Sequence, residues 1–286
     1  MRRRRLGGAY LLFALSLTAT ASFAMAAVTS TDRAAPPAVD VSLQAAIDGA
    51  WRDRANVQRD VYRHPGQTLA FFGLKPTQTV IEITPGNGGY SEILAPYLRD
   101  HGRYIAAVVD PQALPPGNAR DFQQRARDQL QQKFAAQPAL YGNVVLVGYA
   151  PDAPVFGPKA SADLVLTFRN VHNWRMAGQA EAMFRGFYEV LKSGGVLGVV
   201  EHRAHADVPA DDKSGYVGQA QVIAMAKAAG FALVAESEIN ANPRDSKDYP
   251  NGVWTLPPSN RHAAADDAKY QRIGESDRMT LKFVKP

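Results

Sequence analysis

The stretch that most constrains the fold of this 286-residue chain is residues 79–91, which read T-V-I-E-I-T-P-G-N-G-G-Y-S. A β-branched apolar run ends at Pro85 and a group of glycines, and the sequence then resumes with the helix-like S-E-I-L-A-P-Y-L. We expect a buried strand, a tight glycine turn and a helix, in that order. Glycines let a ligand approach the bare backbone, and a helix N-terminus offers unpaired N–H groups. An ordinary strand-to-helix turn fits the same pattern, so the rest of the chain has to decide.

The first 26 residues have the composition of a signal peptide. Residues 2–5 are arginine, residues 10–24 are mostly apolar, and residues 24–26 read A-M-A, an A-x-A cleavage site. The apolar run is too short and too rich in Ser and Thr to span a bilayer comfortably, so we expect cleavage rather than an uncleaved anchor. The protein is then exported, to the periplasm, by the general or the twin-arginine route, and keeps no stable membrane anchor.

The net charge changes once this segment is removed. The chain has 32 Lys and Arg against 27 Asp and Glu, but four of the arginines lie in residues 2–5, which leaves 28 against 27 and a net charge of +1. A nucleic-acid site needs basic residues clustered on the folded part, so no nucleic-acid partner is expected. The chain has no Cys, which excludes thiolate catalysis and fits an oxidising compartment.

Residues 27–40 are a Pro- and Ala-rich linker, and apolar residues then fall at helical spacing over residues 41–63. Pro65 ends this helix, because proline disfavours helical conformation in the residue before it, and residues 69–74 form a short second helix. We therefore expect residues 41–78 to be an N-terminal helical cap. It covers either a ligand cleft or a sheet edge.

From residue 79 to 286, short apolar runs alternate with helical segments. Strands separated by helices imply a mainly parallel sheet with right-handed crossovers, and ligands bind such sheets beyond the carboxyl ends of the strands. The polar insertion at residues 240–277 is either a lid-like subdomain or a surface excursion. The expected strands are residues 80–83, 104–109, 143–147, 162–168, 196–201, 231–236 and 279–284.

Asp110 ends the second strand, 22 residues after Gly88. An acidic side chain at this distance can accept both hydroxyls of a ribose; alternatively, it caps the next turn. A nicotinamide dinucleotide requires G-x-G-x-x-G, and Ser91 stands where the third glycine is needed, which disfavours an oxidoreductase.

Aligned on the pattern acidic-x-G-x-G-x-G, Glu82 takes the acidic position, Gly86 and Gly88 take two glycine positions, and Thr84 replaces the first glycine. This arrangement resembles motif I of the class I S-adenosylmethionine-dependent methyltransferases. The resemblance continues through residues 163–174, 187–203, 228–237 and 276–286. R-N-V-H-N-W, E-H-R and the C-terminal D-R-M-T-L-K-F-V-K-P together are similar to a group of predicted exported bacterial methyltransferases.

The resemblance implies an α/β fold: a Rossmann-like, seven-stranded, mainly parallel sheet with an antiparallel last strand and helices on both faces. It also implies S-adenosylmethionine as cofactor, with the methionine part near Glu82 and the glycine turn, the ribose at Asp110 and the adenine after the third strand. There the family often has an acidic residue, but here Tyr149 stands, with Asp152 nearby. The implied cofactor-binding residues are Glu82, Thr84, Gly86, Gly88, Gly89, Asp110, Tyr149 and Asp152.

Methyl transfer is an in-line displacement, so positioning supplies most of the catalysis, and a base is needed only if the acceptor loses a proton. Residues after the fourth and fifth strands face the same cleft. His172 is placed to take a proton, Asn170 to orient an acceptor, and the arginines suit an anionic group; ordinary structural hydrogen bonding is the alternative. The candidate catalytic residues are Arg169, Asn170 and His172, and the candidate substrate-binding residues are Trp174, His202 and Arg203.

A metal site at His172, His202, His205 and Asp207 is disfavoured, because the spacing is not a helical pair and no H-E-x-x-H is present. We expect no metal, and a small-molecule or unidentified methyl acceptor. S-adenosylmethionine is made in the cytoplasm, which conflicts with export. A non-catalytic protein of the same fold, which binds a small ligand or a partner in the periplasm, is therefore kept as the alternative.

Overall fold

The computed structural model describes residues 38–286. The expected signal peptide, residues 1–26, and most of the expected linker, residues 27–40, lie outside the described residues. Within residues 38–286, every helix is too short or too polar to cross a bilayer.

The strands of the described chain form one seven-stranded sheet in the order β3-β2-β1-β4-β5-β7-β6. Strands β1 to β5 pair in parallel, and β7 runs antiparallel to both β5 and β6. The expected α/β fold with an antiparallel last strand is confirmed. The strands are β1 Thr79–Ile83, β2 Arg103–Val109, β3 Val145–Tyr149, β4 Ala162–Phe168, β5 Leu191–His202, β6 Ala232–Ser237 and β7 Arg278–Val284.

Strand β1 lies at the point where the strand order reverses. The chain passes from β1 to β2 and β3 on one side, and then crosses to β4 and β5 on the other. The loops that follow β1 and β4 therefore leave in opposite directions and open a crevice between them, which is where open α/β sheets bind ligands.

Helices cover both faces of the sheet because side chains alternate along each buried strand. Ile81 and Ile83 belong to one core, with α9 and α10, whereas Val80 belongs to the other, with α1, α4 and α5. The helices are α1 Val41–Ile47, α2 Arg54–Val57, α3 Asp60–Arg63, α4 Pro65–Phe72, α5 Ser91–Leu98, α6 Asn118–Ala136, α7 Pro138–Tyr141, α8 Val171–Met176, α9 Ala180–Val190, α10 Gln219–Ala228 and α11 Asp267–Ile273.

The expectation of one helix over residues 41–63 is wrong, because this segment forms α1, α2 and α3. Tertiary contacts break the helical pattern. Trp51 folds back over Gly49 and donates its indole N–H to the carbonyl of Glu92 at 2.9 Å. The guanidinium of Arg52 donates to the carbonyl of Ile47 at 2.8 Å, a group that a continuous helix would have used itself.

The insertion at residues 240–277 contains helix α11 and two 3₁₀ turns, Gly252–Thr255 and Ala264–Asp266. Leu256 and Tyr270 are buried, and the ring of Trp254 lies 5.9 Å from that of His172, centroid to centroid. The insertion therefore packs against the residues that follow β4.

Candidate functional site

The turn after β1 is held in a left-handed conformation. Thr84, Gly86 and Gly88 have φ values of +50°, +60° and +76°. A side chain added at Gly86 would point into open space, whereas one at Gly88 would come within 3.2 Å of Leu130. The bare backbone at Gly86 therefore faces a space that a ligand can enter, and the glycine at position 88 is needed for packing.

A cleft of about 920 Å³ lies at the carboxyl ends of the central strands. One wall is the 19-residue helix α6, of which only Leu130 and Phe134, in the second half, are buried. The opposite wall follows β4. The lining residues are Asp53, Thr84, Gly86, Asn87, Val109, Leu114, Ala119, Phe122, Gln123, Arg125, Ala126, Gln129, Leu130, Lys133, Tyr149, Pro151, Asn170, Asn173, Trp174, Ala177 and Gln179.

Tyr149 reaches across the ends of the strands to the glycine turn. Its hydroxyl lies 2.8 Å from Oγ1 of Thr84, and both residues line the cleft. Burial raises the pKa of Tyr149 to about 12, so the phenol stays protonated at neutral pH. Thr84 and Tyr149, the two positions at which the sequence departs from the methyltransferase pattern, are thus hydrogen-bonded to each other.

Glu82 lies behind the glycine turn and outside the cleft lining. Its carboxyl group accepts hydrogen bonds from Tyr104 Oη at 2.6 Å and from Ser91 Oγ at 3.2 Å. Burial raises the pKa of Glu82 to about 7, which these two hydrogen bonds only partly offset. Glu82 therefore fixes the start of α5, and its expected contact with a cofactor stays a prediction.

The other two acidic candidates lie beside the cleft. The carboxylate of Asp110 accepts from Gln112 N at 3.0 Å and lies 3.7 Å from Arg127 Nη1. It caps the following turn, next to the lining residue Val109. Asp152 accepts from Gln179 Nε2 at 2.9 Å. Gly89, the remaining cofactor candidate, packs against Asn56 and Arg63 and does not line the cleft.

Asn170 joins the ends of two neighbouring strands. Its side-chain amide donates to the carbonyl of Ile83 at 3.0 Å and to Thr167 Oγ1 at 3.1 Å. The residue is buried and lines the cleft together with Trp174. Because both donors of the amide are used inside the protein, its Oδ1 is the atom left to bind a ligand.

His172 and Glu201 form a buried pair. His172 Nδ1 lies 2.9 Å from Glu201 Oε1, and Glu201 also accepts from Val171 N at 2.6 Å and from His202 N at 2.8 Å. With backbone N–H donors on both oxygens, the carboxylate of Glu201 accepts a hydrogen bond from Nδ1–H of His172, which leaves Nε2 as the acceptor of the ring. This orienting role of Glu201 is not among the roles expected from the sequence, although its position directly before His202 at a strand end is a signal for it.

The structure brings His202 close to His172 but gives it a partner of its own. The two ring centroids are 5.1 Å apart, and His202 Nδ1 lies 2.5 Å from Ser276 Oγ. Burial, together with the neighbouring His172, lowers the pKa of His202 well below its usual value. His202 is therefore a neutral hydrogen-bonding residue at this site.

Arg203 and Arg169 differ in how far their charges are compensated. Arg203 contacts Asp277 at 3.0 Å and Glu238 at 2.6 Å, so it ties β5 to the insertion. Arg169 has a φ of +61° and donates its backbone N–H to Val200 O at 2.7 Å. Its guanidinium has no hydrogen bond to any residue of the described chain.

Within residues 38–286, the one group of side chains with the spacing of a metal site is His172, Glu201 and His202, whose ligand atoms lie within 4.8 Å of one another. A metal would compete with the N–H donors that already occupy both oxygens of Glu201. His205 lies apart, exposed and 3.2 Å from Ser246 O. His172 and His202 each have a hydrogen-bond partner, Glu201 and Ser276 respectively, and this arrangement fits structural hydrogen bonding better than a metal centre.

No protein-family model matches the chain, and no curated protein matches it. Solved structures do. A methyltransferase from Aquifex aeolicus described as dependent on S-adenosylmethionine aligns with a TM-score of 0.53 and 14% identity over 80% of this chain and 93% of that chain.

Two further structures agree. The [4+2]-cyclase SpnF aligns with a TM-score of 0.56 and 17% identity over 85% of this chain and 92% of that one. The glycopeptide N-methyltransferase MtfA aligns with a TM-score of 0.50 and 13% identity over 80% and 99%. Likeness at this level of identity is evidence of fold and not of activity. The described chain has the fold of the class I S-adenosylmethionine-dependent methyltransferases.

Proposed function

We propose that this protein transfers a methyl group from S-adenosylmethionine to a small-molecule or still unidentified acceptor. The observation that carries the proposal is the open cleft at the switch point of the sheet, bounded by the bare backbone at Gly86. The fold and the retained acidic-x-x-x-G-x-G pattern support the same cofactor.

The residues present fit such a cofactor. The cleft, at about 920 Å³, is within the usual size of small-molecule sites. Gly86 and Asn87 would hold the methionine part through their backbone, Asp110 at the rim would meet the ribose, and Leu114 and Tyr149 would contact the adenine. When bound, S-adenosylmethionine supplies an electrophilic methyl group on a sulfonium.

The chain's own residues would position the acceptor and move its proton. Asn170 Oδ1 orients a donor group of the acceptor in the cleft, and Trp174 provides an apolar wall. His172 does not line the cleft itself but lies between the lining residues Asn170 and Asn173. If the acceptor extends from the cleft to this ring and must lose a proton, His172 would receive it at Nε2, while Glu201 holds the ring and stabilises the imidazolium that forms. The insertion packs Trp254 against His172, and the exclusion of water there would strengthen the attraction between the imidazolium and the carboxylate of Glu201.

Calorimetric titration of the purified protein with S-adenosylmethionine and S-adenosylhomocysteine tests the proposal. Micromolar to submillimolar binding of both is expected. The absence of any heat of binding up to about millimolar ligand, equivalent to a binding free energy weaker than about −4 kcal/mol, would sink the assignment.

A second candidate is a non-catalytic protein of this fold that binds a small ligand or a partner in the periplasm. The hydrogen bond between Thr84 and Tyr149 favours it, because it narrows the path between the glycine turn and the adenine side. Retained affinity for S-adenosylhomocysteine and turnover of S-adenosylmethionine with an acceptor-containing extract would argue against this candidate. Binding of neither cofactor form would support it.

Export to the periplasm is part of the proposal, and it rests on the composition of residues 1–26. After cleavage the protein keeps no membrane anchor and has no nucleic-acid partner. Fractionation of cells that express a C-terminally tagged chain tests this. Recovery of the tagged chain in the periplasmic fraction with a new N-terminus near residue 27 is expected, and an intact Met1 in the cytosol would contradict export.

A further inference from the structure

Four arginines surround one glutamate beyond the ends of β4 and β5. This arginine cluster consists of Arg59, Arg63, Arg169 and Arg278 around Glu275. Arg59 Nε lies 2.5 Å from Glu275 Oε1, and Arg278 Nη1 lies 3.0 Å from Oε2. Arg63 Nε is more distant, at 3.7 Å from Oε2. Glu275 therefore interacts with all four guanidinium groups, and the buried Glu82 interacts with Arg169 and Arg63 as well.

Two of the four guanidinium groups are satisfied within the protein, and two are not. Arg278 also donates to the carbonyls of Ser276 and Tyr62, both at 3.1 Å. Arg63 is 7% exposed, yet its Nε and Nη2 are buried without a hydrogen-bond partner. The guanidinium of Arg169 likewise lacks a hydrogen bond to any residue of the described chain.

The four arginines of the cluster outnumber the carboxylates that interact with them, Glu275 and Glu82. Burial lowers the pKa of Arg63 to about 10 despite Glu275. Burial and the charges of Arg63 and Arg278 hold the pKa of Arg169 well below its usual range. Buried cations without a partner are costly, and a buried donor without a hydrogen bond, such as Nη2 of Arg63, calls for an explanation, of which a bound anion is one.

None of the four arginines of the cluster lines the cleft, although the charges of Arg63 and Arg169 act on Glu82. Gly86 and Asn87 line the cleft, but Arg63 approaches the turn at Gly89, which does not. Arg169 directly precedes the lining residue Asn170 and stands three positions before the proposed base His172.

We infer that the guanidinium groups of Arg63 and Arg169 bind an anionic group, a carboxylate or a phosphate, of the ligand that the protein methylates. A guanidinium group can bind either a carboxylate or a phosphate through two parallel hydrogen bonds. Calling the ligand the methyl acceptor rests on the proposed function; the anion site itself does not.

Thermal unfolding with inorganic phosphate or malonate, titrated at constant ionic strength without cofactor, tests the site. Both probes are expected to raise the Tm of the wild-type protein saturably, and the tighter one identifies the anionic group. Arg169→Gln and Arg63→Gln should each weaken the apparent Kd about tenfold or more. The apparent Kd of Arg169→Lys should lie between that of the two glutamine variants and that of the wild type, because lysine keeps the charge but lacks the two parallel donors of a guanidinium.

Arg272→Gln is the matched control, since Arg272 is exposed on α11, and it should titrate like the wild type. Without added anion, Arg169→Gln should keep the stability of the wild type, because the half-buried guanidinium of Arg169 makes no hydrogen bond within the described chain; a purely structural arginine would give a loss. An unchanged Kd in Arg169→Gln, or no stabilisation of the wild type, would overturn the anion site.

Titration with S-adenosylhomocysteine separates the two hypotheses. Cofactor binding without an anion effect leaves the proposed function standing and removes this inference, and an anion effect without cofactor binding does the reverse. If saturating S-adenosylhomocysteine abolishes anion binding, the cluster holds the cofactor's own carboxylate, and the assignment to the acceptor is wrong.

Discussion

His172 donates from Nδ1 to the carboxylate of Glu201 over 2.9 Å, and the pair joins the first turn of α8 to the end of β5. The carboxylate that holds the proposed base also accepts three backbone N–H groups, those of Val171, His172 and His202. The ring orientation of His172 is set before any ligand arrives.

His172→Ala is expected to lower the rate of methyl transfer about 10²- to 10⁴-fold for an acceptor that loses a proton. The Kd of S-adenosylhomocysteine should stay unchanged, because His172 does not line the cleft. Glu201→Gln should give a smaller rate loss, since the ring remains but its orientation is no longer fixed. Single-turnover kinetics and calorimetry measure the two quantities. His205→Ala, at an exposed histidine, is the control, and a parallel loss of cofactor binding in His172→Ala would contradict the assignment.

Gly86→Val should abolish cofactor binding, because its side chain would enter the cleft. We expect the Kd of S-adenosylhomocysteine to rise about 100-fold or more, which is about 3 kcal/mol. Gly194→Val is matched to it, since Gly194 also has a positive φ, +77°, and open space around it, but lies in the turn before the paired part of β5. Both variants should lose about 1–2 kcal/mol of stability from the left-handed backbone. Equal effects of the two on binding would show that the ligand lies elsewhere.

Glu82 should make the protein less stable as the pH rises. Its pKa is about 7 when folded against a usual 4.5, so between these values the folded protein keeps a proton that the unfolded chain has released. The group therefore lowers the free energy of unfolding by an amount on the order of 3 kcal/mol between pH 4.5 and 7. Chemical denaturation of the wild type and of Glu82→Gln at pH 4.5 and 7.5 measures this. The variant should gain stability relative to the wild type at the higher pH, and a pH-independent difference would refute the explanation.

Thr84→Gly should open the cleft at little cost in stability. A β-branched residue at φ +50° costs about 1–2 kcal/mol, and the hydrogen bond to Tyr149 contributes about 1 kcal/mol. The two changes should cancel to within about 1 kcal/mol, whereas Tyr149→Phe loses the bond without relieving the backbone. Calorimetry should show tighter S-adenosylhomocysteine binding in Thr84→Gly. Weaker binding would mean that the bond between the two residues builds the site instead of narrowing it.

The fold could be predicted from the sequence because it depends on local patterns. The β-branched run before the glycines predicted β1, and the alternation of strands and helices predicted the sheet. The direction of Glu82 was also readable: in a strand it must share a face with Val80, on the side of α5, and not with Ile81. This period of two places the carboxyl group of Glu82 on the face of the sheet that α5 covers.

Contacts between residues that are distant in the sequence could not be predicted. They break the helix expected over residues 41–63, and they determine the partners of the candidate site residues. Arg203 is satisfied by Glu238 and Asp277, and Thr84 by Tyr149. Such pairs leave no periodic signal in the sequence. The unpaired state of Arg169 is likewise a property of the folded chain, since it depends on which acids the fold brings near.

Helix α6 forms a wall of the cleft with a first half that has no buried residue, and Phe122 on it is 61% exposed. Lys133, near the buried end, ties the helix to Asn87 in the glycine turn at 3.1 Å. A ligand in the cleft would contact Ala119, Phe122 and Ala126 in this half of the helix. Amide hydrogen exchange in the first turns of α6 should therefore slow with ligand concentration, so that the local order of the helix becomes a measure of occupancy.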